Sequence, residues 1–140
     1  MKVKPYRRRA NYYETDKMGI VHHTNYIRYF EEARIDLMRQ VGCDCRTLEE
    51  MNIIIPVVDV YAKYHKSVNF DDEILIYTNL TKFNGVKMVC SYEVRFANTN
   101  EIAVTGYSTH CFVDENFKPF SLKRKYPEIY DKFIELVEEK

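Results

Sequence analysis

The sequence predicts an α+β domain in which a largely antiparallel sheet wraps one long helix, and three observations carry that prediction. Strand-like runs outnumber helical ones and follow each other closely, a single long stretch switches to helical spacing, and Asn84-Gly85 stands between two of the strand-like runs. Both residues of that pair tolerate positive φ, which favours a tight hairpin. The chain has 140 residues, 46% of them hydrophobic, and a chain of this size buries about two-thirds of its unfolded surface without disulfide or metal staples. No repeat, low-complexity tract or linker interrupts it, so residues 1–140 read as one domain.

Taken in order, Val3 to Tyr13 reads as a first strand, with Pro5 near its start where a missing ladder donor is tolerated. From Thr24, Tyr26, Phe30, Ala33, Leu37 and Val41 recur at helical spacing, and Ile27, Ile35 and Met38 widen the stripe, so this helix is expected to be buried on more than one side. Thr24 or Asn25 is placed to cap its start by accepting a backbone N–H, and Gly42 lies just past its end. A short helix around Arg46 to Met51 follows, then four strands over Pro56–Ser67, Glu73–Phe83, Val86–Ala97 and Ile102–Asp114. The third alternates cleanly, with Val86, Met88, Cys90, Tyr92, Val94 and Phe96 on one face. Asn98 to Asn100 supplies a second turn, and Tyr126 to Glu139 carries Ile129, Phe133, Leu136 and Val137 at the spacing of an amphipathic tail helix.

Charge narrows the function classes. Lys+Arg and Asp+Glu number 21 each and the sequence pI is near 6.9, which lacks the basic field that non-specific nucleic-acid binding needs. No apolar run approaches the roughly 20 residues of a membrane span, and MKVKPYRRRANYY has no signal-peptide core, so a cytoplasmic location is expected. Cys43, Cys45, Cys90 and Cys111 lack a second pair at zinc-ligand spacing and read as reduced thiols. His22, His65 and His110 have no ligand spacing either, so no metal site is expected.

The segment Tyr12 to Tyr26 departs from what a core demands, because it places an acid, a glycine and two histidines immediately before the long helix. The first N–H groups of a helix have no intrahelical partner and sit at its positive pole, so a carbonyl placed there is polarised and an oxyanion stabilised. Asp16, seven residues before His23, is suited to act as a nucleophile or as a base for water, and Gly19 lets the backbone turn between them. A lone Asp before a helix is more often a cap or a turn former. Tyr13 and Tyr26 are candidates for a pocket wall, although strand and helix aromatics are ordinarily core. Glu31 and Arg34, three apart, suggest an ion pair on the helix surface. Arg7-Arg8-Arg9 and Lys123-Arg124-Lys125 are either solvated charge or contacts for phosphate.

The stretch Asp16-Lys17-Met18-Gly19-Ile20-Val21-His22-His23-Thr24-Asn25-Tyr26, continued by Phe30-Glu31-Glu32-Ala33-Arg34, resembles the signature of the 4-hydroxybenzoyl-CoA thioesterase family, and in particular its acyl-CoA thioesterase branch associated with the Tol-Pal system. The likeness runs on through Tyr64, Phe70-Asp71-Asp72-Glu73 and Asn84-Gly85-Val86-Lys87 to Val113-Asp114 and Lys118-Pro119. It implies a hotdog fold and hydrolysis of an acyl-CoA or aryl-CoA thioester, with coenzyme A as part of the substrate and no further cofactor. It assigns the catalytic carboxylate to Asp16 and the oxyanion-binding amide to His23, and lays the pantetheine arm and phosphates along Asn84, Gly85, Val86 and Lys87. It also implies a homodimer or homotetramer with active sites at the dimer interface. Ser67, where the family often has proline, and His22, where it commonly has an aromatic residue, depart from the pattern and bear on substrate preference.

A thiolate leaves readily, so the lack of a G-x-S-x-G elbow or a catalytic cysteine is compatible with this chemistry. Two other readings share the fold: hydrolysis of thioesters on acyl carrier protein, and a non-catalytic acyl-CoA-binding module. A dehydratase is a weaker rival, since the expected catalytic His and acid motif is not found.

Overall fold

A computed structural model describes residues 3–137. Its sheet is built from β1 (Tyr6–Arg9), β2 (Val57–Tyr64), β3 (Glu73–Phe83), β4 (Lys87–Phe96) and β5 (Ile102–Cys111), in the spatial order β1-β3-β4-β5-β2 with every pairing antiparallel. Against it lie the long helix α1 (Asn25–Gln40) and the short α2 (Cys45–Glu50), followed at the end of the chain by α3 (Leu122–Lys125) and α4 (Pro127–Ile134). The expected α+β architecture is therefore present: a sheet curled around one helix, the hotdog arrangement.

Burial follows the sequence periodicity. Tyr26, Tyr29, Phe30, Ala33, Leu37 and Met38 of α1 are buried, as are Met88, Cys90, Tyr92 and Val94 on the alternating face of β4. Phe30 stacks on Tyr92 with ring centroids 4.4 Å apart and nearly parallel planes. That close approach explains Gly106 on β5: a Cβ there would lie 2.7–2.8 Å from the Phe30 ring and would overlap the Tyr61 carbonyl. Gly42, at φ +78°, ends α1 as expected.

Several expectations need correction. The first strand ends at Arg9, not Tyr13: Ala10 still donates to the Asp72 carbonyl at 3.0 Å, after which the chain leaves the sheet and coils into a 3-10 turn at Tyr12–Glu14. Neither Thr24 nor Asn25 caps α1 through its side chain. The Thr24 hydroxyl sits 2.9 Å from His22 Nδ1, and the Asn25 amide donates instead to the Glu14 carbonyl at 2.9 Å. The tail helix expected over Tyr126–Glu139 is present as α4, which opens with Pro127 at its first position, where a missing N–H is tolerated, and ends early, at Ile134. Leu136 and Val137 lie beyond α4, and Val137 bridges to Leu80; residues 138 and 139 of the expected helix fall outside the described residues. Glu31 and Arg34 do not pair: Arg34 donates to the Tyr92 hydroxyl at 3.1 Å. Finally, of the residues expected to widen the buried stripe of α1, Met38 is buried but Ile27 is 44% exposed.

One polar chain crosses this core. From Arg34 it runs through the Tyr92 hydroxyl to Ser108 Oγ at 2.6 Å and on to His110 Nε2 at 2.7 Å. His110 is fully buried and its Nδ1 has no partner of good geometry, although the Ile55 and Pro56 carbonyls lie close enough to favour its charge. Burial, helped by the charge of Arg34, brings the imidazole pKa down to about 4.

Two outcomes follow for stability. Gly106→Ala should lower it by about 1–3 kcal/mol, read as a lower denaturant midpoint; an unchanged midpoint would mean that the Phe30 ring yields freely. Because the folded pKa of His110 lies below that of the unfolded chain, the unfolded state binds the extra proton between about pH 6.5 and pH 4, so stability falls as pH falls through that window. The loss should be about 2 kcal/mol at pH 5, and His110→Gln should flatten the wild-type slope between pH 7 and pH 5; parallel slopes would refute the burial of a neutral imidazole.

Candidate active site

The loop before α1 is shaped by a carboxylate that sequence reading passed over. Glu14 is only 5% exposed, and its Oε1 receives the Arg8 guanidinium at 2.6 Å, the Asn11 N–H at 2.8 Å and the Tyr29 hydroxyl at 2.8 Å. Arg8 lies 4.2 Å from the centroid of the Tyr29 ring and also holds Glu32 by two bonds at 2.7 and 2.9 Å. Burial drives the Tyr29 phenol pKa far up, and the hydrogen bond to Glu14 adds to that. The backbone of Glu14 is equally engaged, its carbonyl accepting His22 N–H at 2.8 Å as well as the Asn25 side chain. One residue thus ties β1, the loop and the start of α1 together. The clue available in sequence was the Asn11-x-x-Glu14 spacing of a capping box.

Between those anchors the loop folds tightly. Asp16 N–H donates to the Ile20 carbonyl at 2.9 Å, and Gly19 N–H returns to the Asp16 carbonyl at 3.0 Å with Gly19 at φ +80°, a conformation that glycine adopts without strain. One Asp16 carboxylate oxygen accepts the Met18 N–H at 2.8 Å, which fixes the side chain and leaves the second oxygen available. Val21 N–H reaches the Val68 carbonyl at 2.8 Å, joining the loop to the segment before β3.

Asp16, His23 and Tyr26 then line one cleft of about 300 Å³, together with Met18, Ile20, Val21 and the run Tyr64 to Ser67 at the end of β2. Asp16 is half-buried there. Among the described residues the His23 N–H has no acceptor, whereas the neighbouring Thr24 N–H goes to His22 Nδ1 at 3.3 Å and Asn25 N–H to the His22 carbonyl at 2.9 Å. The Tyr64 hydroxyl donates to the His23 carbonyl at 3.1 Å and holds this peptide in place. His23 itself is exposed, its ring stacked on His22 at 4.2 Å. The Tyr26 hydroxyl accepts Val68 N–H at 3.4 Å, and its phenol pKa is raised by burial. Asp16, whose second carboxylate oxygen is not held by the loop, and His23, whose N–H is unengaged at the uncapped start of a 16-residue helix, thus line the same cleft.

Other candidates lie elsewhere. Tyr13 is 79% exposed, outside the cleft, with its hydroxyl 3.1 Å from the Asn11 amide. Asn84, Gly85, Val86 and Lys87 form the turn between β3 and β4, and none of them lines the cleft. Asn84 Oδ1 accepts the Val86 and Lys87 N–H groups, and Gly85 is buried under the Tyr130 ring. Within one protomer the hairpin therefore does not meet Asp16. The Arg7-Arg8-Arg9 cluster is engaged internally, with Arg7 on Glu73 at 2.9 Å, Arg8 on Glu14 and Glu32, and Arg9 on Asp71. Lys123, Arg124 and Lys125 are exposed. Tyr64, Met18 and Ile20 were not singled out as wall residues from sequence; their roles depend on where β2 ends relative to the loop.

A curled antiparallel sheet around one long helix is the architecture of the hotdog-fold thioesterases. The chain belongs to the thioesterase-like superfamily, whose family model matches residues 11–133, and it is a thioester hydrolase. Among its relatives is an Aquifex aeolicus protein assigned as an esterase, 37% identical over 89% of this chain and 94% of that protein. The acyl-CoA thioesterase YbgC of Haemophilus influenzae is 28% identical over 84% of this chain and 86% of its own length. The crystal structure of a DHNA-CoA thioesterase from Staphylococcus aureus superposes with a TM-score of 0.89 at 31% identity, covering 94% of this chain and 89% of that one.

Glu14→Gln should cost about 3 kcal/mol in stability, because it leaves Arg8 buried with half its countercharge removed. Activity at a temperature where the variant remains folded should fall as well, since the loop carrying Asp16 loses its anchor. A variant that melts as the wild type does would show that the network contributes no net stability.

Proposed function

We propose that the protein hydrolyses acyl-CoA or aryl-CoA thioesters, with Asp16 as the catalytic carboxylate and the His23 N–H as the oxyanion donor. The thioester carbonyl oxygen sits at the His23 N–H and the first turn of α1, where the helix dipole favours the negative charge that develops on it. The free Asp16 oxygen either attacks the carbonyl carbon, giving an acyl anhydride that water then opens, or takes a proton from the water that attacks. In both cases the C–S bond breaks, its electron pair leaves on the coenzyme A sulfur, and the acid is released. The observation that carries this reading is the cleft itself, which holds a carboxylate with one oxygen fixed by Met18 N–H alongside a backbone donor with no acceptor of its own.

Coenzyme A belongs to the substrate here and no separate cofactor enters the reaction. Gly19 shapes the loop and Tyr26 walls the cleft. We read the active form as a homodimer formed through β2, an edge strand whose Val57, Val58, Val60, Tyr61 and Tyr64 are all exposed. Such a row of apolar side chains beside open backbone donors and acceptors is what a second strand covers. Dimerisation would also bring a second subunit's Asn84–Lys87 hairpin into consideration for the pantetheine arm and phosphates. Placement within the Tol-Pal-associated branch rests on the resemblance of the Asp16–Tyr26 stretch. The absence of a helix long and apolar enough to cross a membrane among the described residues is compatible with a cytoplasmic enzyme.

Asp16→Asn keeps the Met18 hydrogen bond and the shape of the side chain while removing the basic oxygen. It should lower kcat on acyl-CoA and aryl-CoA panels by about 100-fold or more, with an unchanged melting temperature, in a thiol-trapping assay. Near-wild-type turnover in the folded variant would refute the assignment. Tight binding of acyl-CoA by the wild type without any thiol release would favour the binding-module alternative, and faster release from a matched acyl-carrier-protein thioester would move the substrate to the carrier protein.

A further inference from the structure

A second cavity of about 280 Å³ lies at the other end of α1, where Ile35, Met38, Leu48, Ile53, Ile54 and Ile55 form an apolar wall. One cation, Arg34, enters that wall. Among the described residues Arg34 makes no ion pair; one of its nitrogens donates to the Tyr92 hydroxyl, which Ser108 and His110 hold from behind. A guanidinium offers five N–H donors in a fixed plane, so most of its capacity is directed elsewhere than at Tyr92. Glu31 and Glu49 also border the cavity, but both are exposed while Arg34 is half-buried.

The strand β2 relates this cavity to the Asp16 cleft. Tyr64, at the end of β2, lines the cleft, whereas Ile53–Ile55 lie just before its first residue, Val57. In one chain the two sites are therefore separated by the length of the strand, roughly 25–30 Å. A two-fold axis makes an edge strand run antiparallel to its own copy. Pairing through β2 then sets the start of one strand beside the end of the other, and the Arg34 cavity of one subunit beside the Asp16 cleft of its partner.

Resting on the thioesterase and homodimer reading above, we propose that the Arg34 cavity receives the far end of the acyl group whose thioester is held in the partner subunit's Asp16 cleft. Arg34 donates there to an uncharged oxygen, a hydroxyl or keto group, carried by that acyl group. The two glutamates at the mouth disfavour a carboxylate and accept the proton of a hydroxyl. The apolar wall holds the intervening carbons, and the Tyr92-Ser108-His110 chain keeps the guanidinium from folding away. Arg34 is thus a specificity-determining residue that acts across the interface.

Mixed dimers test the placement. Asp16→Asn and the cavity-filling Ile54→Trp should each abolish turnover of 6-hydroxyhexanoyl-CoA as homodimers. A heterodimer of the two, isolated with two affinity tags, retains one intact composite site and should recover about half the wild-type rate. A heterodimer as inactive as its parents, with Ile35→Trp in place of Ile54→Trp giving the same result and all variants melting as folded proteins, would overturn the proposal. Arg34→Met tests the chemistry. The ratio of kcat/KM for 6-hydroxyhexanoyl-CoA to that for heptanoyl-CoA, which replaces the hydroxyl by a methyl, should fall about tenfold, as expected for one lost hydrogen bond to a charged group; an unchanged ratio would overturn the role of Arg34. Calorimetry with the non-hydrolysable thioether analogues of the same pair reads the preference without catalysis. If the wild type cleaves no member of the acyl-CoA and aryl-CoA panels, the hydrolase assignment fails, and the thioether preference, kept by wild type and lost in Arg34→Met, still decides this inference.

Discussion

The Glu14 carboxylate is the constraint on which the site depends. A charged group at 5% exposure is stable only when its lost hydration is replaced, and here a guanidinium, a phenol and a backbone N–H converge on one oxygen. Arg8 comes from β1, Tyr29 from the buried face of α1, and Asn11 from the segment between. Their meeting point determines where β1 must stop and how the chain approaches the helix. With the Glu14 side chain held in this way, its carbonyl is aimed at His22 and Asn25, and the start of α1 is fixed by the loop instead of by a capping side chain. The missing cap has a functional reading: a side chain satisfying the first N–H groups would occupy the place where a substrate carbonyl is polarised.

The reaction asks little more of the fold than this. Coenzyme A thiolate is a good leaving group, so no acid need protonate it and no nucleophile need be activated by a relay. On the proposed mechanism one carboxylate held by a turn and one amide at a helix start carry the bond-breaking step, and both come from a single loop. Its rigidity comes from short-range hydrogen bonds: Met18 N–H on Asp16, Gly19 N–H on the Asp16 carbonyl, and the Tyr64 hydroxyl on the His23 carbonyl. Only the last of these reaches across the molecule, and it comes from the edge strand β2.

Local patterning made the architecture legible before any coordinates. The Tyr26-Phe30-Ala33-Leu37 stripe, the β4 alternation and Asn84-Gly85 each report a geometry that neighbouring residues impose on one another, and each appears in place. The candidate acid and amide lie within one loop, and the structure brings Asp16 and His23 into the lining of one cleft. What failed depended on distant partners. Tyr13 had the right chemistry but turns outward, because the 3-10 turn that buries Glu14 rotates its neighbours toward solvent. The Arg7–Arg9 cluster read as solvated charge or as phosphate contacts, yet Glu73, Glu14, Glu32 and Asp71 meet it from β3, α1 and the loops. Arg34 looked paired with Glu31 by helical spacing and instead reaches Tyr92 on β4. Spacing along one element cannot reveal a partner on another.

The distribution of exposed apolar surface completes the physical picture. A hotdog sheet has two edges, and here they differ. β1 is four residues long and carries three arginines, each held by an acid, which are features that discourage pairing with another chain. β2 is twice as long and shows valine and tyrosine on both faces, with Tyr61 stacked on Tyr107 outside and Tyr64 against Tyr26 inside. The side chains that line the Asp16 cleft end on this same strand, so whatever covers the edge also becomes a wall of the site. In the proposed homodimer the second surface would cover the open edge beside the cleft, and the exposed Ile27 lies on α1, the helix whose start borders that cleft. In that homodimer the open edge and the open helix start share one solution, because the strand that gains a partner borders the cleft that gains a second wall.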